Sequence, residues 1–390
     1  MKKTGKSCYN APVTAPKKVE HVDYNVLDKA KSAFIQAGQR TMRFAEKYGF
    51  IPNNRLGASA NVFQLDLKPF LKMGAEHLSI TLLPEGLGTA DDARPDDLTP
   101  QELEQFWYNI GIKTVAVMTN DAASSGMQTI LISLYLPSAQ PELVFHEQFM
   151  TGFLNGFVEG CKQVGCVYFS GETPQLKNKL VEGKMDIAGA LFGLMPAGKN
   201  PVSSEQLASG DHIVFVQSSG PHENGYTTLR ALAEKLPHGY RTKLPSGKEY
   251  WEGLNAPSVL YTPLIQSILE AGIQPTNIEP ISGHGWQKLM RPKQTLRYVI
   301  ETPLPVPEIF TFVQEQLELT TQQMIEIFNY GVGYAIFTRT AEEGQRIVDL
   351  AKQLGLNATL AGHVESCDHR EVTVPSWNIT LTDSTFTLQK

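Results

Sequence analysis

The chain has 390 residues, of which 42% are hydrophobic and 19% are charged. This composition excludes an intrinsically disordered chain, and the length predicts two domains or one large α/β body. Because the formal net charge is -6, no basic field is available to attract a phosphate backbone, and we expect no nucleic-acid partner.

The first half of the chain alternates predicted helices with short apolar runs of strand length. Residues 1–22 are polar and rich in lysine and proline, and are predicted to form a flexible arm. Helical spacing of apolar residues occurs at 26–48, 103–122 and 149–164. Strand-like apolar runs occur at 78–83, 129–136, 166–169 and 187–194.

A segment rich in proline, glycine and serine, residues 196–210, predicts a boundary between domains at 23–200 and 205–390. Beyond it, strands are predicted at 212–217, 296–300, 334–338 and 358–364. Helices are predicted at 226–235, 261–271, 306–317 and 341–354. This alternation predicts an α/β or interleaved α+β class, with helices layered on a sheet in each half.

Targeting signals and metal frameworks are absent from the sequence pattern. The N-terminus lacks the apolar core of a secretory signal, and the apolar runs are too short to span a membrane. The four cysteines form no CxxC pair and the histidines show no ligand spacing, which argues against a zinc site or a disulfide framework. We therefore expect a soluble cytoplasmic protein with no membrane partner.

The most informative local pattern is the run of small residues that follows the predicted strand 212–217. Ser218, Ser219, Gly220 and Gly225 lead into the next helix, whose free N–H groups favour an anion such as phosphate. His222, in the same run, has an imidazole that can exchange a proton near neutral pH. The alternative is an ordinary tight turn with a solvated histidine, and the pattern alone leaves both open.

Three carboxylates end three separate predicted elements. Glu85, Asp121 and Glu172 each stand beside glycine or asparagine, and oxygen ligands of this kind could converge on the Mg²⁺ ions of a nucleotide triphosphate. Each of them taken singly is better explained as a hydrated loop residue, and it is their position at corresponding ends of neighbouring elements that favours a shared site.

Several motifs follow one another over nearly the whole chain, from about residue 23 to residue 374. They are Glu85-Gly86-Leu87-Gly88-Thr89, Asn120-Asp121, Gly171-Glu172-Thr173, Ser218-Ser219-Gly220-Pro221-His222 with Asn224-Gly225-Tyr226, Ile281-Ser282-Gly283-His284-Gly285 and Phe328-Asn329-Tyr330-Gly331-Val332-Gly333. Their order and spacing resemble the phosphoribosylformylglycinamidine cyclo-ligase family, also called AIR synthetase or PurM.

The resemblance implies an ATP-dependent ring closure in purine biosynthesis. The formyl oxygen of formylglycinamidine ribotide is phosphorylated, the amidine nitrogen attacks, and phosphate leaves to give aminoimidazole ribotide. It also implies a PurM-like two-domain fold in a homodimer, with the N-terminal sheets paired into a barrel and the C-terminal half forming a layered α/β lobe.

Carried over by position, the resemblance implies roles for individual residues. The metal ligands are Glu85, Asp121 and Glu172, and the catalytic residues are His222 and Asn224. The implied ATP contacts are Gly86, Gly88, Thr89, Asn120, Gly171 and Thr173. The implied substrate contacts are Ser218, Ser219, Gly220, Gly225, Gly283 and Gly285.

Some positions depart from the family pattern. The family's Asp-Gly-Val-Gly-Thr-Lys is Glu85 to Ala90 here, so a phosphate-binding lysine is absent, and Lys113 replaces an acidic residue. These changes keep two alternatives open: a nucleotide- or ribotide-binding module without turnover, and another ATP-using enzyme of the superfamily. The selenophosphate synthetase relative would need a cysteine within 53–63, and the hydrogenase-maturation relative would need a C-terminal cysteine within 380–390. Neither segment contains one.

Overall fold

A computed structural model describes residues 24–53 and 56–382. The arm predicted at 1–22 lies outside the described residues. The described part of the chain forms two main sheets, one built from residues 80–194 and the other from residues 212–382. Residues 196–210 lie between the last strand of the first sheet and the first strand of the second, and the division into domains at 23–200 and 205–390 stays a prediction.

The elements of the first half surround a four-stranded sheet of order β3-β6-β4-β5. The helices of this half are α1 (Tyr24–Thr41), α2 (Lys68–Lys72), α3 (Pro100–Ser124), α4 (Pro141–Val144) and α5 (Glu147–Val164). The four strands are β3 (Ile80–Gly86), β4 (Gln128–Tyr135), β5 (Val167–Glu172) and β6 (Ala188–Leu194), and β1 (Phe50–Ile51) and β2 (Gln64–Leu65) form a separate two-stranded sheet. β4 pairs parallel with β5, while β6 pairs antiparallel with both β3 and β4.

The second half forms a seven-stranded sheet of order β13-β12-β9-β11-β7-β10-β8. Its strands are β7 (His212–Gln217), β8 (Asn277–Pro280), β9 (Leu296–Ile300), β10 (Val332–Thr338), β11 (Ala358–Ser366), β12 (Glu371–Val374) and β13 (Ile379–Thr382). Its helices are α6 (Tyr226–Ala233), α7 (Tyr250–Leu254), α8 (Thr262–Glu270), α9 (Glu308–Gln316), α10 (Thr321–Ile327) and α11 (Ala341–Gln353). Buried residues of α8 and α11 pack on one face of this sheet.

Helix α3 connects the two halves. Thr99 caps its first turn in a capping box with Glu102, which satisfies N–H groups that the helix itself leaves free. One side of α3 packs on α5, and other residues of the same helix contact the second half of the chain. Its central residues are therefore buried on all sides, including the polar Lys113 and Thr119.

Glycines let α3 and α5 approach unusually closely. A Cβ atom at Gly156 would lie 1.8 Å from the Tyr108 carbonyl oxygen, and one at Gly111 would lie 2.4 Å from the Phe153 carbonyl oxygen. Since real Cβ atoms do not come this close, both positions require glycine at the present helix separation. The spacing Gly152, Gly156 and Gly160 in α5 is thus explained by packing.

The structure departs from the predicted elements at the end of α1 and at several short elements that were not predicted, among them β1, β2, α2, α4, α7 and α10. The helix predicted at 26–48 ends at Thr41, whose hydroxyl accepts a hydrogen bond from the backbone N–H of Tyr168 at 2.9 Å. Apolar residues continue beyond the end of α1 because Met42, Ala45 and Phe50 pack together in a buried hydrophobic cluster. Strands β8, β12 and β13 were not predicted, because each is only four residues long and mixes polar with apolar residues.

Among residues 24–53 and 56–382, no helix combines the length and hydrophobicity needed to cross a bilayer.

The substitution Gly156→Ala tests the helix contact. The added methyl group must push α5 away from the Tyr108 carbonyl, so we expect the free energy of unfolding to fall by about 3 kcal/mol in chemical denaturation. Lys162→Ala, on the same helix with a side chain that is 66% exposed, is the control and should change stability by no more than about 0.5 kcal/mol. Equal stability of the two variants would contradict the packing argument.

Candidate functional site

A cleft of about 390 Å³ lies between the two halves of the chain. Glu85 at the end of β3 and Asp121 near the end of α3 contribute to one wall. Residues 222–224 and the segment from Ile281 to Arg291 contribute to the other. The structure therefore brings two of the three predicted carboxylates to the same cavity as the predicted bend.

The bend from Ser218 to Gly225 is held by side chains from distant parts of the chain. The Ser218 hydroxyl donates to Oδ1 of Asn329 at 2.9 Å, and Nδ2 of Asn329 donates to the Gly220 carbonyl at 2.9 Å. The Ser219 hydroxyl donates to the Pro257 carbonyl at 2.7 Å. Both hydroxyls predicted to bind substrate thus have protein partners, and Gly225 packs against the ring of Phe328.

His222 stabilises the bend from inside. Its ring nitrogen Nε2 accepts a hydrogen bond from the Ser219 backbone N–H at 3.3 Å, and its backbone has a φ of 55°. Burial, with a smaller effect of the nearby Lys113 ammonium, lowers the pKa of the imidazole to about 3. A neutral imidazole whose Nε2 is already bonded is poorly suited to the predicted proton transfer, so this geometry favours a structural role.

Lys113 of α3 lies fully buried beneath the same bend. Its Nζ donates to the His222 carbonyl at 3.0 Å and lies 3.9 Å from Oε1 of Glu223. It also contacts the hydroxyls of Tyr226 at 3.4 Å and Ser258 at 3.5 Å. Burial lowers the pKa of Lys113 to about 8 and raises that of Glu223. Lys113 is therefore occupied by this network and does not replace the absent phosphate-binding lysine.

Glu85 and Asp121 form the acidic part of the cleft. Burial is the main cause that raises the pKa of each carboxyl, and the charge of Asp121 raises that of Glu85 further. Lys288 and Arg291 also line the cleft, and their charges oppose the shift of Asp121. Two partly desolvated carboxylates thus face two cations in one cavity.

Glu172 is not part of this group. Across the sheet, Glu85 is in register with Gly189 and Leu134, whereas Glu172 is in register with Tyr135 and Ala188. These two sets of paired residues are adjacent along the strands, so their side chains point to opposite faces of the sheet. In addition, β5 is three strands away from β3, which is a distance of roughly 14 Å. Within one chain, the structure therefore brings Glu85 and Asp121 together in the cleft and places Glu172 apart from them.

The predicted ATP contacts are also divided. Gly171 and Thr173 lie with Glu172 in a different cavity of about 390 Å³, formed with α1 and residues 56–61. Gly86, Gly88 and Thr89 follow Glu85 but lie outside the lining of both cavities. Asn120 lines the cleft, but its amide accepts from the Tyr261 N–H at 3.0 Å and donates to the Val259 carbonyl at 2.9 Å, so it joins the two domains.

The two predicted glycines of the second wall differ in role. Gly283 lines the cleft near Oδ1 of Asn224, so both residues are placed where a ligand can reach them. At Gly285 a Cβ atom would lie 2.1 Å from the Ile325 carbonyl oxygen, so this glycine is required by packing. Between them His284 has a φ of 71°, a backbone conformation that glycine adopts more easily.

Sequence reasoning missed the cationic side of the cleft. Lys288 lies on a 3₁₀ segment, Gly285–Met290, that has no strong sequence signature, and Arg291 directly follows this segment. Arg291 also pairs with Glu279 at 3.4 Å, and burial raises the pKa of that carboxyl to about 7. The only available signal was the positive charge of two residues close behind the glycine motif.

Comparisons with known proteins agree with this architecture. A family model described as AIR synthase related protein, N-terminal domain, matches residues 96–195. Among solved structures, the E. coli HypE hydrogenase maturation protein is 17% identical with a TM-score of 0.61, covering 93% of this chain and 98% of that one. A HypE complex with ATP is 13% identical with a TM-score of 0.61, covering 95% and 96%.

Thiamine-monophosphate kinase from Stenotrophomonas maltophilia K279a is 14% identical with a TM-score of 0.56, covering 92% of this chain and 98% of that one. The protein has the two-domain PurM-like fold. The predicted fold class is thereby confirmed. At these identities the likeness establishes the fold alone.

The substitution Lys113→Met tests the buried pair. It leaves the Glu223 carboxylate buried without its cation, so we expect the free energy of unfolding to fall by about 3–5 kcal/mol. The double variant Lys113→Met/Glu223→Gln should recover most of this loss, because neither charge then remains buried. Arg43→Met is the matched control at an exposed pair with Glu46 and should cost at most about 1 kcal/mol. A double variant no more stable than the single one would refute the account.

The depressed pKa of His222 predicts acid sensitivity. The unfolded chain, with a histidine pKa of about 6.5, binds more protons than the folded chain between that value and about 3, so stability falls as the pH is lowered. Between pH 8 and pH 5, the titration of His222 alone should lower the free energy of unfolding by about 2 kcal/mol. His222→Gln lacks the titrating ring, so its unfolding free energy should fall correspondingly less over that range. Parallel pH profiles of the two proteins would rule this out.

Proposed function

We propose that this protein is an ATP-dependent enzyme that activates a small phosphorylated substrate in the cleft between its two domains. The observation that carries the proposal is the placement of Glu85 and Asp121 in the same cavity as the bend, Lys288 and Arg291. The specific reaction we propose is phosphorylation of the formyl oxygen of formylglycinamidine ribotide, followed by ring closure to aminoimidazole ribotide.

The comparisons support the general class of reaction. One structure of the same fold is a complex with ATP, and another is a kinase of a phosphorylated small molecule. The motif resemblance between residues 85 and 333 supports the cyclo-ligase as the particular member. Another ATP-using enzyme of the superfamily remains the nearest alternative.

The acidic wall fits a magnesium ion. Oxygen ligands suit Mg²⁺, and a divalent cation would favour the charged form of Glu85, whose pKa is raised by burial and further by the charge of Asp121. These two residues would hold the ion, which when bound neutralises charge on the nucleotide phosphates. Glu172 is assigned no part in this set.

The other residues of the cleft would position the substrate. Lys288 and Arg291 offer cations for phosphate oxygens, and Asn224 offers an amide beside Gly283. Phosphorylation converts a poor leaving group into phosphate, so the protein's main task is to hold the reacting groups close and to balance charge. His222 would keep the bend in shape for this purpose.

A second candidate is a module that binds a nucleotide or ribotide without turnover. It is favoured by the bonded, neutral state of His222 and by the presence of Ala90 where the family has lysine. The same cleft would then bind ligand without a group that exchanges protons.

A homodimer is part of the proposal. The edge strand β3 exposes Ile80 and Leu82 to 60% and 76%, and exposed apolar residues on a sheet edge favour pairing with another strand. This supports pairing of two N-terminal sheets, as in the barrel that the family resemblance implies.

The decisive assay measures aminoimidazole ribotide and ADP formed from formylglycinamidine ribotide and ATP with Mg²⁺. We expect both products in equal amounts. ADP without the ribotide product would indicate another ATP-using enzyme, and ATP binding with neither product would indicate the binding module.

Variants locate the reaction within the molecule. We expect Asp121→Asn to lower kcat by about 10²-fold or more, because it removes charge stabilisation from the reacting centre. Lys288→Met should act mainly on KM for the phosphorylated substrate. Glu172→Gln is the matched carboxylate control outside the cleft and should retain near-normal kcat. If Glu172→Gln is inactive while Asp121→Asn is active, the chemistry lies on the opposite face of the sheet.

A further inference from the structure

The connection between β11 and β12 carries a cysteine, an aspartate and a histidine in succession. β9 lies between these two strands in the sheet, antiparallel to β11 and parallel to β12. Residues 367–370 therefore pass across the beginning of β9, with both ends fixed by strand pairing. A short segment anchored in this way holds its side chains in a limited set of positions.

The side-chain atoms of this turn are spaced as metal ligands are. Sγ of Cys367 lies 3.6 Å from Nδ1 of His369 and 3.7 Å from Oδ1 of Asp368. A zinc ion with bond lengths of about 2.3 Å to sulfur and about 2.0 Å to nitrogen or oxygen separates such ligands by about 3.5 Å at the tetrahedral angle. The two sulfur distances match this value without movement of the backbone.

The other nitrogen of the imidazole is held by an outer partner. Nε2 of His369 lies 2.8 Å from Oε2 of Glu371, and the buried Glu371 is bound in turn by Arg297 of β9. Arg297 also contacts Glu365 at 3.2 Å. A carboxylate on the far nitrogen directs the remaining lone pair toward the metal position and is a recurring feature of metal-binding histidines.

We propose that this turn binds one divalent ion of the zinc type, with Cys367, Asp368 and His369 as ligands and a fourth position open to water. Thiolate, imidazole and carboxylate together suit a borderline-soft ion such as Zn²⁺ or Co²⁺ better than Mg²⁺ or Ca²⁺. Nδ1 of His369 and Oδ1 of Asp368 are 2.5 Å apart. To bind the same ion at the tetrahedral angle, these two atoms must move apart by about 0.8 Å. The side chain of Asp368 is 93% exposed and free to make that movement.

This site is independent of the proposed function. The sequence argued against zinc because no CxxC pair or regular histidine spacing is present, but a Cys-x-His turn next to a fixed carboxylate needs neither. Glu371, the outer partner, lies in the same cluster, since its carboxylate, Sγ of Cys367 and a ring nitrogen of His369 all lie within 4.8 Å of one another.

The test is a titration of the chelator-treated full-length chain with Co²⁺ and Zn²⁺ at neutral pH. We expect one Co²⁺ per chain with the near-ultraviolet absorption of a thiolate-to-cobalt bond, displacement of Co²⁺ by Zn²⁺, and a higher melting temperature with either ion. Absence of stoichiometric binding at micromolar protein concentration would overturn the proposal and leave a hydrogen-bonded turn only.

Variants assign the ligands. Cys367→Ser should abolish the thiolate absorption, and Asp368→Asn and His369→Gln should each weaken binding by at least about tenfold. Glu371→Gln should weaken it by about tenfold through the imidazole. His363→Gln, on β11 beside Glu365, and Cys8→Ser are controls expected to bind as the unaltered chain does. Thiolate absorption that survives in Cys367→Ser would overturn the assignment, and melting of the metal-free variants checks that each is folded.

Discussion

The buried ammonium group of Lys113 is the interaction on which the cleft depends. A charge at this depth is stable only with partners, and it finds them in the His222 carbonyl, Glu223 and two hydroxyls. These partners belong to the second half of the chain, whereas Lys113 belongs to the central helix of the first half. The need to satisfy one cation therefore fixes the bend against α3 and sets the distance between the two walls.

Much of the fold follows from local sequence signals. Apolar spacing and the alternation of helices with strand-like runs were sufficient to predict the class and most of the long elements. The short strands β8, β12 and β13 were missed because each is only four residues long and mixes polar with apolar residues. The backbone conformation of His284 was not predictable from its residue type either, because its φ of 71° is one that glycine adopts more easily.

The candidate site was predicted less completely, for a physical reason. A motif indicates which residue types stand together, but not which of their hydrogen bonds are already used within the protein. Ser218 is bonded to Asn329, 111 residues away, and the imidazole of His222 is bonded within its own turn. Likewise, element ends that look equivalent along the chain can point to opposite faces, as Glu85 and Glu172 do, because one residue of register reverses the face.

The amide of Asn120 has a consequence for how ligands enter. It bonds in both directions to the backbone at Val259 and Tyr261, and Tyr261 stacks on Tyr334 with ring centroids 4.1 Å apart. A hinge motion between the lobes would have to break the Asn120 hydrogen bonds together with those of Lys113. A ligand that enters the cavity therefore meets two walls whose relative position these hydrogen bonds already fix.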